Sequence, residues 1–387
     1  MPEAPLTVGV VAGEASGDLL GSYLVRALRG HLPRARFVGI GGPRMQAAGV
    51  DALFPLEKLA VRGYVEVARH YLEILGIRRR LAARFLREPP ALFIGVDAPD
   101  FNLGLESRLK SAGIPTAHFV SPAIWAWRGG RMRSIRRAVS RMLVVFPFEQ
   151  ALYERAGVPV TYVGHPLAEL LAYFPGRATM REQLRLPAAA RIVALLPGSR
   201  MSEIEHMADL FVETAAQIAA GVPGVQFLVP MVNRATRELF EAELYRRPAG
   251  ELDLTVLYGH AHEAMAAADV VLVASGTATL EAALLRRPMV IAYRMPDLSY
   301  RIMRKRRYQP YVGLPNILAG EFVVPEFLQD EATPENLSQA VQNLLFDTGV
   351  RDRLEARFGA LAGELRQDSA ARIAAALLPL IHNGPVP

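Results

Sequence analysis

The chain contains no cysteine. Disulfides, thiolate nucleophiles and cysteine-ligated metals are therefore excluded, and the absence fits a reducing compartment. Long apolar runs are missing too, since none reaches the roughly 18 residues that a membrane span needs. Met1-Pro2-Glu3-Ala4-Pro5 carries no basic region before a short apolar run. No signal peptide is read, and a cytoplasmic protein is expected. Histidines do not cluster with carboxylates at metal-ligand spacing. The closest approach, His260-x-His262, lies among loop residues, so neither a metal nor another cofactor is expected. Solenoid-length repeats and low-complexity segments are absent. Lysine is scarce: Lys58, Lys110 and Lys305 stand in a Lys-plus-Arg total of 44.

What is present is arginine. The net charge is +6, and guanidinium forks suit phosphate groups. No zinc finger, ribonucleoprotein-type aromatic motif or basic tail accompanies that charge, so nucleic acid is not expected. A phosphorylated small molecule or an anionic membrane surface fits better. Length (387 residues) and apolar content (51%) allow two domains with separate cores.

Short apolar runs alternate with helical periods through both halves. Strands are expected at 6–12, 36–40, 91–96, 116–120, 142–146 and 161–163, then at 192–196, 226–229, 254–257, 270–274 and 289–292. This alternation predicts an α/β protein of two doubly wound, Rossmann-like domains facing across a cleft. The first covers 1–170 and the second 188–350. A helical tail, 351–387, could pack back on the first domain. A long helix from Leu354 to Leu378 would break near Gly359 and Gly363, and Thr333 would cap the helix opened by Pro334.

Several strand ends carry candidate chemistry. Ser275-Gly276-Thr277 joins the run Val270–Val273 to a helix start, where free N–H groups and a partial positive charge suit a phosphate. Glu281, about one and a half turns in, is placed to accept from sugar hydroxyls. Gly198-Ser199-Arg200 repeats the arrangement with a cation that can pair with a pyrophosphate. In the first half, Asp97 follows a strong strand and Pro99 fixes its loop. Asp97 and Asp100 are the candidates for a general base, with Asp97 preferred. Asp100 and Asn102 are also read on the acceptor side, or as the next helix's N-cap. Glu14 and Ser16, in Gly13-Glu14-Ala15-Ser16-Gly17-Asp18, suit an acceptor-side role; capping by Ser16 or Asp18 is the alternative. Trp125 and Arg128 could floor a sugar or an acyl chain.

Residues 64–85 repeat apolar side chains at helical spacing, with arginines along the borders. Val67, Tyr71, Leu72 and Leu75, with Arg78 and Arg79, would contact an anionic membrane. The basic cluster 301–308 adds to that reading. An ordinary amphipathic core helix is the alternative.

Together these motifs resemble the lipid-A-disaccharide synthase family over essentially the whole chain. The likeness runs through Val11 to Asp18, Gly42-Pro43-Arg44-Met45, Asp97-Ala98-Pro99-Asp100-Phe101-Asn102, Ser121-Pro122, Trp125-Ala126-Trp127-Arg128, Leu196-Pro197-Gly198-Ser199-Arg200, Ala274-Ser275-Gly276-Thr277 and Leu314-Pro315-Asn316. The resemblance implies a GT-B glycosyltransferase, peripheral on the inner face of the inner membrane of Gram-negative bacteria. Its donor would be UDP-2,3-diacylglucosamine and its acceptor 2,3-diacylglucosamine 1-phosphate (lipid X), joined by an inverting, β-1,6 transfer without a metal. By the same resemblance Glu281 would hold the ribose and Asn316 would lie near the donor. Homodimer formation and tail exchange are left open. Two other readings compete: a UDP-N-acetylglucosamine 2-epimerase-like enzyme, which would not need the apolar stripe, and a non-catalytic binder of a nucleotide or lipid phosphate.

Overall fold

A computed structural model describes residues 6–59, 64–124, 129–246, 252–296, 300 and 310–382, with the side chains of 64–71, 129 and 382 outside that description. The chain divides into two compact units, one of 1–169 with 365–387 and the other of 170–364.

The first unit is built on seven strands: β1 Thr7–Ala12, β2 Arg36–Ile40, β3 Val50–Phe54, β4 Leu92–Val96, β5 Thr116–Phe119, β6 Arg141–Val144 and β7 Val160–Tyr162. Their order is β3-β2-β1-β4-β5-β6-β7, and every pairing is parallel. Central strands are buried on both faces, which is why β4 reads as the unbroken run Leu-Phe-Ile-Gly-Val. β3 was not expected. It is an edge strand whose Asp51 and Ala52 are exposed, so its apolar signal is broken. Helices α1 (Ala15–His31), α2 (Pro43–Ala47), α3 (Tyr64–Arg87), α4 (Pro99–Ser111), α5 (Met132–Ala138) and α6 (Pro147–Arg155) connect the strands, and α7 (Pro166–Leu171) follows β7. On α1, Leu20, Leu24, Val25 and Leu28 form the buried face.

In the second unit six strands, β8 Ile192–Leu196, β9 Gln226–Met231, β10 Leu254–Tyr258, β11 Val270–Ala274, β12 Met289–Tyr293 and β13 Glu326–Leu328, run β10-β9-β8-β11-β12-β13. All pairs are again parallel. The three-residue edge strand β13 was not expected and is too short to carry a period. Its helices are α8 (Arg177–Gln183), α9 (Met201–Gly221), α10 (Arg234–Arg246), α11 (Ala261–Ala267) and α12 (Thr277–Leu284), then Leu314–Ala319, Pro334–Phe346 and Thr348–Leu365. Thr333 caps Pro334–Phe346 by accepting from the Asn336 N–H at 3.2 Å.

The C-terminal helices break later than expected. Gly359 and Gly363 lie inside Thr348–Leu365, and the interruption falls at 366–368, where Asp368 takes φ +52°. Residues 351–364 stay with the second unit, whereas 365–387 group with the first. There His165 N–H donates to the Leu365 carbonyl and Ser369 N–H to Glu169. Among the described residues no helix is long and apolar enough to cross a membrane.

The amphipathic segment becomes α3, and its two halves differ. Ile77, Leu81 and Phe85 are buried, and Phe85 packs edge-on against Phe93. That half of the stripe is core, which corrects the membrane reading for it. Leu72 is 80% exposed, Leu75 is half-buried and Arg79 is exposed. Arg78 is half-buried and donates to the Asp100 carbonyl at 3.3 Å. The side chains of Val67 and Tyr71, and the cluster 301–308, lie outside the described residues.

Candidate active site

Each sheet reverses its winding once, between β1 and β4 in the first unit and between β8 and β11 in the second. Loops at the carboxyl ends of those strands are where such folds bind ligands.

At the first switch point, β1 ends in Gly13 and α1 begins at Ala15 with Glu14 as N-cap, without a side-chain cap. Glu14 is half-buried and Ser16 exposed. Asp18 is buried and accepts from the N–H groups of Gly42 (2.8 Å), Arg44 (3.0 Å) and Met45 (3.0 Å). It therefore caps the start of α2, not its own helix. Its charge neutralises α2's free N–H groups, and it does not stand beside a ligand site at α1.

Beside this loop, β4 ends in two consecutive residues of left-handed backbone, Asp97 (φ +51°) and Ala98 (φ +44°). For non-glycine residues each such conformation costs of order 1–3 kcal/mol and persists where the surroundings hold it. Gly13 makes room, because a Cβ there would stand 2.4 Å from the Ala98 Cβ. Asp97 is half-buried, and among the described residues no hydrogen bond or ion pair engages its carboxylate. Asp100 is 81% exposed and pairs with Arg131. Asn102 is fully buried, and its amide donates to the carbonyls of Asp97 at 2.8 Å and Val11 at 3.2 Å. The acceptor-side expectation for Asn102 is thereby corrected: its side chain ties β1 and the Asp97 turn together. The loop after β5 is anchored by Ser121, whose hydroxyl meets the Tyr153 hydroxyl at 2.7 Å. Trp125 and Arg128, further along it, lie outside the described residues.

Near Asp97 are two titratable groups that the sequence did not single out together. His118 on β5 and Glu106 on α4 are wholly buried, with Nδ1 and Oε1 2.7 Å apart. Burial raises the Glu106 carboxyl above its ordinary value, against the pull of His118. Burial pushes His118 down, but Glu106 and, less strongly, Asp97 bring it above its ordinary value. Among the described residues no cluster of three or more His, Asp or Glu could hold a metal ion.

In the second unit the two expected phosphate loops differ. At the start of α9, Glu203 takes the site for itself. Its Oε2 accepts from the N–H groups of Ser199 (2.9 Å) and Arg200 (3.3 Å), and its Oε1 pairs with Arg200 Nη1 at 2.6 Å. Gly198 bends at φ +144°, and a Cβ there would meet Glu203 Cβ at 2.5 Å. The N–H groups of Ser199 and Arg200, expected as free donors, are therefore occupied by an internal carboxylate. Arg200-x-x-Glu203 is a capping-box spacing that could have signalled this. At the start of α12 the site is open. Gly276 and Thr277 are exposed, and a Cβ on Gly276 would meet nothing within 4 Å. Ser275 donates its hydroxyl to the Val312 carbonyl at 3.3 Å.

Glu281 is 20% exposed and held by His262 Nε2 at 2.9 Å, and the His262 ring stands edge-on to Phe174. His262 is thus a partner of this site that spacing alone did not indicate. Asn316 is fully buried, and both ends of its amide are used. Oδ1 accepts from Val323 and Val324 N–H, and Nδ2 donates to the Val324 carbonyl and Glu326 Oε1, all at 2.8–2.9 Å. Its side chain thus shapes the 312–326 loop, which Glu326 also clasps through Val312 and Gly313 N–H.

Two doubly wound parallel sheets, each with loops at its switch point, define the GT-B glycosyltransferase architecture. Structures at low identity share it. A UDP-GlcNAc 2-epimerase from Neisseria meningitidis bound to UDP-GlcNAc superposes with TM-score 0.65 at 10% identity, covering 97% of this chain and 99% of that one. Anabaena HepE in complex with UDP-glucose gives 0.60 at 15% identity, covering 97% and 99%. The family described as lipid-A-disaccharide synthetase matches residues 8–376. The lipid-A-disaccharide synthase of Aromatoleum aromaticum is 57% identical over 378 residues, covering 98% of this chain and 97% of the relative. That of Methylobacillus flagellatus is 52% identical over 375 residues, covering 97% and 99%. The chain belongs to the lipid-A-disaccharide synthase family, and it is a glycosyltransferase of lipid A biosynthesis.

Proposed function

We propose that the chain transfers 2,3-diacylglucosamine from UDP-2,3-diacylglucosamine to the 6-hydroxyl of 2,3-diacylglucosamine 1-phosphate, forming a β-1,6 bond and releasing UDP. Asp97 takes the proton of the 6-hydroxyl as that oxygen attacks the anomeric carbon. The bond from the anomeric carbon to the β-phosphate oxygen breaks, and its electron pair leaves with UDP. An enzyme nucleophile is not needed, and the direct displacement inverts the anomeric carbon.

The observation that carries this reading is the Asp97 carboxylate, which makes no hydrogen bond or ion pair with a described residue, at the first unit's switch point. A base has to reach the proton it removes, and a half-buried side chain in a loop at a strand end allows that. Charge developing on UDP is met by the open N-terminus of α12 at Gly276 and Thr277, and by Arg200 once a diphosphate replaces Glu203. Glu281, oriented by His262, accepts from the ribose hydroxyls. Glu14, Ser16 and Asp100 line the acceptor side. Exposed Leu72 in the N-terminal half of α3, and exposed Arg79 further along the helix, support contact of α3 with an anionic inner-membrane face.

UDP release from UDP-2,3-diacylglucosamine, measured in mixed micelles with EDTA, tests the reading. Release that requires lipid X and survives EDTA is expected. Release without lipid X, or its loss in EDTA, contradicts the proposal.

A further inference from the structure

Asp97 is held from two directions by its backbone. Its N–H donates to the Phe119 carbonyl on β5 at 2.9 Å. Its carbonyl accepts from Asn102 Nδ2 on α4 at 2.8 Å. The two holders are themselves linked. His118 precedes Phe119 on β5, Glu106 lies one helical turn after Asn102 on α4, and His118 Nδ1 and Glu106 Oε1 share a hydrogen bond of 2.7 Å. A closed ring results: Asp97, Phe119, His118, Glu106, Asn102 and back to Asp97.

Gly95 makes the ring sterically feasible. It pairs with His118 in register across β4 and β5. A Cβ at Gly95 would stand 2.1 Å from Glu106 Oε1 and 2.9 Å from Asn102 Cβ. Only a bare strand lets both polar side chains of α4 approach so closely.

The ring is poorly explained by stability alone. Among the described residues, Glu106 Oε2, His118 Nε2 and Asn102 Oδ1 are buried without a hydrogen-bond partner. Buried unpaired polar atoms are unfavourable, and well-packed apolar residues often serve a core as well as or better than a buried ion pair. What the ring does secure is the left-handed pair Asp97–Ala98, a conformation that needs holding from outside.

We propose that His118 and Glu106 are positioning residues for catalysis, closing through Asn102 and Phe119 a hydrogen-bonded ring that fixes the backbone of Asp97. The inference rests on the reading of Asp97 as the base.

The test compares three purified full-length variants with the parent. Glu106→Leu/His118→Leu opens the ring and leaves no unpaired charge. It should keep a melting temperature near the parent's, because both partners become apolar together. Its kcat should fall about 10- to 100-fold, the scale of a misplaced catalytic group, with KM for both substrates little changed. Hydrogen exchange in the peptide carrying the Asp97 amide should quicken. Glu106→Gln keeps the hydrogen bond without the charge and should retain most of the turnover. Should the double variant fail to fold, His118→Asn, which shortens the reach to Glu106, takes its place with the same expected kcat loss. A folded ring-opened variant with parental kcat and parental exchange overturns the inference.

Asp97→Asn is measured alongside. If it is inactive while the opened ring is fully active, the ring is only core and the base assignment stands. If Asp97→Asn is itself active, the base assignment fails, whatever the ring does.

Discussion

Gly13 and Ala98, the residues after β1 and at the Asp97 turn, approach so closely that a Cβ on the glycine would lie 2.4 Å from the Ala98 Cβ. The Gly13–Asp18 loop, read in the sequence as suited to an acceptor-side role, also makes room for the neighbouring loop. Gly13→Ala should therefore push the Asp97 turn aside. We expect kcat to drop about 10- to 100-fold, while UDP affinity, proposed to reside in the other unit, stays at the parental value by calorimetry. Equal losses in both would show a general loss of fold.

Glu203 occupies the N–H groups of Ser199 and Arg200, which a diphosphate bound as proposed would take over. Neutral Glu203→Gln should bind UDP a few-fold more tightly than the parent. Arg200→Ala should bind it about 10-fold or more weakly, given roughly 1.5–3 kcal/mol for a hydrogen bond to a charged group. Isothermal titration with UDP checks both, and unchanged affinity in Arg200→Ala would remove that residue from the site.

His165 is buried, and burial lowers its pKa to about 4. Its Nδ1 accepts from the Leu167 N–H at 3.2 Å, which requires an unprotonated nitrogen. An unfolded chain takes up that proton near pH 6.5, the folded protein only near 4. Stability is therefore unaffected above pH 6.5, falls as pH drops from 6.5 toward 4, and by then has lost up to about 3 kcal/mol. His165→Asn should flatten this part of the melting-temperature profile. A parental slope in the variant would assign the acid sensitivity to other groups.

The two halves of α3 should respond differently to mutation. Leu72→Ser/Leu75→Ser should reduce co-sedimentation with anionic vesicles and leave the melting temperature nearly unchanged. Leu81→Ala, fully buried on the core face of the C-terminal half, should destabilise by about 2–5 kcal/mol without a specific effect on vesicle binding. Unchanged vesicle binding in the first variant would exclude Leu72 and Leu75 from a membrane contact.

The fold was legible where strands are buried on both faces. β4, β8 and β11 read as unbroken apolar runs, and each switch-point loop follows such a run. Edge strands β3 and β13 escaped, one interrupted by exposed Asp51 and the other three residues long. The site was legible as a set of loops but not as a set of partners. Asp18 meets Gly42 and Met45, Glu281 meets His262, and Glu106 meets His118. Each pairing joins different elements, so helical or strand periodicity contains no trace of it. Asn316 shows the same limit from the other side: its position in a motif was visible, but the four hydrogen bonds that consume its amide were not.

The central claim is that Asp97 removes the acceptor proton, and Asp97→Asn tests it most directly. Asparagine tolerates the left-handed backbone at this position and keeps the side-chain shape, so only the basic oxygen is lost. Turnover of UDP-2,3-diacylglucosamine with lipid X should fall at least about 100-fold, with UDP affinity and melting temperature as in the parent. Turnover within a few-fold of the parent's would contradict the account and leave the base to be sought elsewhere.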